Sequence, residues 1–159
     1  MRVRVSIILM SVLLTISAQA AKAEFLLGLV VANELLGSSL EWAGEASSTY
    51  LVLGSYQSKA GYQVEDMTAY VGHRRYAGGV FAKSSFFGGV LLGDLGGGPN
   101  FNRPGIGGEA GYQWLTENLR VSLNAGVVIL GEPSGASGTG STSDPEPASF
   151  IGAGAAIRF

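Results

Sequence analysis

The sequence predicts an all-β chain: eight antiparallel strands closed into an up-and-down transmembrane β-barrel, preceded by a cleaved signal peptide. Three observations lead to that class. The first is the hairpin Gly105–Leu130, whose two arms each alternate apolar and polar residues with period two. The second is an export segment at the N-terminus. The third is an alternation of short and long connections, with aromatic residues gathered beside the short ones.

The chain begins with Arg2 and Arg4, an apolar run Ser6–Ile16, and small residues through Ala23. A basic start, a short apolar centre and A-x-A sites read as a secretory signal peptide, cut after Ala20 or Ala23. The apolar run falls short of the roughly 20 residues a spanning helix needs. Residues 1–23 are therefore assigned to the signal and 24–159 to the barrel. Cutting after Ala23 removes Arg2, Arg4 and Lys22 and takes the formal charge from −2 to −5. No basic surface points to nucleic acid. There is no cysteine, which excludes disulfides, thiolate chemistry and cysteine metal sites. The 25 glycines follow neither collagen's period nor a solenoid repeat.

Strand one is read over Glu24–Val31, although Phe25–Leu36 would also suit a short buried helix. Strand two, Leu35–Gly44, sets Leu36, Ser38, Leu40 and Trp42 opposite Ser39, Glu41 and Ala43. Gly44–Ser47 forms the next turn. Strand three is Thr49–Gln57, and Ser58–Gly61 is a loop. Strand four, Val64–Tyr76, has faces of mixed character: Tyr70, Gly72, Arg74 and Tyr76 against Val71, His73 and Arg75. Ala77–Gly79 turns into strand five, Phe81–Gly93, and Gly96–Pro104 is loop.

The hairpin supplies strands six and seven. Thr116 faces Leu119 across Glu117-Asn118, with Asn118 expected in the positive-φ conformation of two-residue turns. That register sets Trp114 opposite Val121 and Tyr112 opposite Leu123. Leu119, Val121, Leu123, Ala125, Val127 and Ile129 share one face; Arg120, Ser122, Asn124 and Gly126 share the other. Gly131–Ser149 lacks any large apolar residue and is expected to be a mobile loop. Phe150–Phe159 is the last strand.

The face opposite the apolar one carries Glu41, Glu109, Gln113, Arg120, Asn124 and Arg158, with His73 and Arg75 as further candidates. An eight-stranded barrel is just wide enough for its own side chains. Charges enclosed there must pair, so an ion-pair network is the economical reading, with a catalytic or proton-handling cluster as its competitor. Trp42, Tyr50, Tyr76, Phe81, Tyr112, Trp114 and Phe159 lie near the short turns or the C-terminus, as in an interfacial aromatic girdle.

The export segment, GGEAGYQWL…NLRVSLNAGVVIL, YVGHRRYAGG and the terminal AAIRF together resemble small bacterial outer-membrane β-barrels of the OmpA/OmpX-like, porin-like type. The resemblance covers most of residues 24–159 and rests on pattern, so it speaks to fold more than to activity. It implies a Gram-negative envelope protein in the outer membrane, in contact with outer-membrane lipid. It also implies recognition by the barrel-assembly machinery through Phe159, Ile157, Ala155, Ala153 and Ile151. No peptidoglycan-binding segment follows the barrel pattern.

Three function classes are compatible with this pattern. The leading one is a non-enzymatic barrel with a structural or surface-interaction role and no pore. A lipid-modifying barrel enzyme, such as a lipid A deacylase, would need a His/Ser pair with an orienting carboxylate. His73 is the single histidine, and Ser84 and Ser85 are its candidate partners. A soluble lipocalin-like binder would need its apolar face turned inward. One histidine without cysteine argues against a transition-metal site, and the glycine clusters Gly96–Gly98 and Gly105–Gly108 lack a Walker lysine. No cofactor is expected.

Overall fold

The computed structural model describes residues 24–58, 61–81, 84–98, 101–131 and 145–159. The expected signal peptide, 1–23, lies outside them. Eight strands run β1 Glu24–Ala32, β2 Leu35–Ala43, β3 Ser47–Ser58, β4 Gly61–Tyr76, β5 Ser84–Gly98, β6 Phe101–Leu115, β7 Leu119–Leu130 and β8 Glu146–Arg158. Each pairs antiparallel with its neighbours in the chain, and β1 closes on β8, giving a barrel without edges.

Phe25–Leu36 is not a helix. It runs through β1 and turns into β2, which pairs with it as a hairpin, Leu27 opposite Leu40 and Val31 opposite Leu36. The β6–β7 register is the expected one: Trp114 opposes Val121, Tyr112 opposes Leu123, and the Thr116 N–H donates to Leu119 O at 2.9 Å. Asn118 does not take a positive φ. The Thr116 hydroxyl accepts from Leu119 N–H at 3.3 Å and donates to Leu119 O at 3.1 Å, so a side chain closes the turn instead. Asn33, between β1 and β2, is the non-glycine with positive φ (47°) among the described residues.

The hairpin strands are longer than expected. β4 begins at Gly61, β8 at Glu146, and β5 and β6 run through most of Gly96–Pro104. Asp94 pairs with Pro104 and Gly96 with Arg103, leaving Leu95 as an extra residue in a bulge. Pro104 has no N–H to give, and a bulge beside it continues the ladder past the gap. Gly93, at φ 147°, lets β5 press against Tyr70, whose Cα a Cβ there would meet at 2.6 Å.

The barrel has two ends. At one, which we call the turn end, β2, β4 and β6 finish and the next strand begins, beside the end of β8. At the other, the loop end, β1 turns through Asn33-Glu34 into β2, and β3, β5 and β7 finish. Outward positions are apolar around the wall: Leu29, Leu53, Val90, Ile106, Val127 and Ile151 are all at least half exposed. Inward positions hold the buried polar side chains, Glu41, Arg74, Glu109, Gln113, Arg120 and Ser122 among them.

Candidate functional site: the barrel interior

Toward the turn end the interior is polar and filled. Glu41 on β2 takes a two-pronged ion pair from Arg120 on β7, with Arg120 Nη1 donating to Oε1 at 2.7 Å and Nη2 bonding Oε2. The Tyr76 hydroxyl sits 3.3–3.4 Å from Ser48, Glu41 and Arg120. Higher up, Arg74 on β4 grips Glu109 on β6, Nε to Oε1 at 2.7 Å and Nη2 to Oε2 at 3.0 Å. Tyr50 donates to Glu109 Oε1 at 2.6 Å and Asn124 to Oε2 at 2.5 Å, so each carboxylate oxygen accepts twice. The Arg74 guanidinium lies 4.3 Å from the Tyr50 ring centre and 4.6 Å from that of Phe87, a double cation–π contact. Tyr50 reaches this position because Gly72 beneath it has no side chain; a Cβ there would meet the ring at 2.2 Å.

Glu41, Glu109, Gln113, Arg120 and Asn124 point into the barrel, whereas Arg158 reaches only its rim, and on β4 the inward residue changes identity. Arg74, not Arg75, is the inward arginine, and His73 and Arg75 face out. The faces of β4 are chemically mixed, and its phase is set by pairing Leu51 with Val71 and Tyr50 with Gly72. His73 Nδ1 lies 3.0 Å from the Thr49 hydroxyl. It pairs in register with Val90, so Ser85 lies five residues along β5, about 17 Å away at strand rise. The His/Ser pair is therefore not assembled. Ser85 instead accepts from Gly78 N–H at 2.9 Å.

The girdle is also revised. Tyr50 and Tyr76 point inward, 2 % and 4 % exposed, because Glu109, Ser48 and Glu41 satisfy their hydroxyls. Phe81 is not in β5. The segment Ala77–Phe81 folds across the turn end, where Val80 donates its N–H to Glu45 O at 2.9 Å and accepts from Gln113 at 2.7 Å. Val80 packs with Leu26, Ala43, Tyr76, Phe87 and Ala156 as a stopper, and Phe81 packs against them. Arg158 lies over the Phe81 ring at 4.5 Å and pairs with Glu24 at the rim. Trp42, Tyr112, Trp114 and Phe159 remain outside, joined by the exposed Phe25 and Phe86. Phe25 meets Trp42 edge-on, and Phe86, Tyr112 and Trp114 form a continuous edge-to-face row.

Toward the loop end the interior changes character. A cavity of about 300 Å³ opens there, walled by Val30, Leu35, Tyr56, Tyr70, Leu91, Val128 and Leu130. Its floor is Tyr50, Glu109 and Asn124; Asn33, Glu34 and Ser149 stand among its remaining lining residues. Tyr70 meets Tyr50 edge-on at 6.3 Å. The expectation of an interior filled throughout by polar side chains is corrected: the filling stops at Glu109. Among the described residues no three potential metal ligands converge.

No family model and no curated protein matches the chain in sequence. Among solved structures, that of Neisserial surface protein A superposes with a TM-score of 0.52 at 11% identity, over 86% of this chain and 96% of that one. At that identity the likeness is one of fold, and the fold is that of a small outer-membrane barrel.

Proposed function

We propose that the chain is an integral outer-membrane barrel with a non-enzymatic structural or surface-interaction role. The observation that carries this reading is the wall itself. Large apolar side chains point outward on all eight strands, while the charges point inward and pair. In water that arrangement is inside out; in a bilayer it is what a closed sheet needs. The nine residues each of β1 and β2 match the roughly 9–11 a tilted strand uses to span. Export by a cleaved signal, outer-membrane lipid around the wall and delivery by the barrel-assembly machinery complete the proposal. The turn end then faces the periplasm and the loop end the exterior.

The wall argues against the soluble lipocalin-like reading. The separation of His73 from Ser84 and Ser85 removes the motive for a deacylase. The test is fractionation: the protein should pellet with outer membranes, resist salt and alkali, and migrate differently on a gel before and after boiling. Recovery in the soluble periplasm overturns the proposal.

A further inference from the structure

We propose that the loop-end cavity is a binding site for a single aliphatic chain, entering tail first and carrying an uncharged or cationic head. It builds on the membrane reading above, which decides only that the mouth faces outward. The volume, about 300 Å³, is roughly twice that of an apolar cavity that stays dry and binds benzene, and it falls at the small end of ligand sites. Leu35, Leu91, Val128 and Leu130 wall it, and all are buried within the protein rather than turned to lipid.

The floor dictates the direction of entry. Each Glu109 oxygen already accepts two hydrogen bonds, from Tyr50, Arg74 and Asn124, so a cationic or hydroxyl head arriving there finds the carboxylate taken. A hydrocarbon tail needs no such partner. The lining also includes an exposed carboxylate, Glu34 in the β1–β2 turn, and the polar Asn33. A head held there gains from a positive charge or a hydroxyl and loses from a carboxylate.

The test uses three probes of equal tail: 1-decanol, decylammonium and decanoate, titrated into the protein in nanodiscs of perdeuterated lipid. Nuclear Overhauser contacts should join the tail methyl to the methyls of Leu91 and Val128 and saturate with concentration. Decylammonium should bind tighter than decanoate by up to about fivefold, the range of one exposed ion pair. Glu34→Gln should level the two and leave 1-decanol unchanged. Leu91→Trp and the milder Val128→Phe should abolish or weaken all three, while Leu92→Trp, on the outer face, should not; heat-shifted gel mobility reports that each variant is folded. Contacts confined to the outward Leu92 and Val127, or growing without saturation, mean partition into lipid and overturn the proposal. Decanoate binding as well as decylammonium overturns the head-group assignment. A protein that fails to enter nanodiscs defeats the membrane reading instead.

Discussion

Arg74 and Arg75 are neighbours of identical chemistry with opposite fates. Arg74 is buried in a doubly bonded ion pair between two aromatic rings; Arg75 stands exposed on the wall. Removing one partner of a buried pair strands the other, at a cost of about 3–5 kcal/mol. Arg74→Met should lower stability by that order in urea unfolding from lipid vesicles, and Arg75→Met by about 0.5 kcal/mol or less. Equal effects of the two would mean that β4 is phased the other way. Two glycines give a second matched contrast. Gly72→Ala collides with Tyr50 and should dislodge its bond to Glu109, whereas Gly88→Ala meets its nearest atom at 3.8 Å and should be silent in thermal unfolding. Neither difference was legible in the sequence, because a strand with polar groups on both faces takes its phase from partners, not from its own pattern.

Where alternation is strong, the sequence carried the answer. β7 alternates cleanly from Leu119 to Gly126, and its register with β6 followed from matching two apolar faces. Beyond Gly126 the alternation stops: Val127-Val128-Ile129-Leu130 is apolar on both faces, as is Val90-Leu91-Leu92. Those runs were the available sign of the apolar cavity, since a strand between lipid and a greasy chamber has no reason to alternate. The β5–β6 extension was hidden because glycine and proline mark loops statistically, while a bulge tolerates both. Phe159 follows directly on β8, 78 % exposed and bonded through its N–H to Phe25 O at 3.2 Å. Phe159→Ala should leave unfolding of the purified barrel nearly unchanged yet reduce its level in the outer membrane, the precursor being degraded before insertion. Deleting Arg158 should lower both the stability of the purified barrel and its membrane level, since it removes the partner of Glu24 and turns the phenylalanine inward. Normal membrane levels of both variants would show that the terminal strand carries no assembly signal.

Taken whole, the molecule is a cup rather than a tube. The Val80 stopper and the Glu41–Arg120 and Glu109–Arg74 pairs close the passage below the cavity. Purified protein in planar bilayers should show no large, stable conductance steps; such steps would contradict the closed interior. Glu24 and Arg158 meet across 134 residues of sequence, and Phe159 bonds Phe25. The polypeptide is thus a ring with one cut, and nothing in the wall requires the cut to lie there. A circular permutant joining Phe159 to Glu24 by a short linker and opening at Glu117-Asn118 keeps every strand pair and every internal charge pair. It should refold in vesicles with near-native stability. In cells it should fail to accumulate, because its final strand would no longer end in Phe159. Folding information and delivery information would then be separated in one protein, the first belonging to the circle and the second to the place where it was cut.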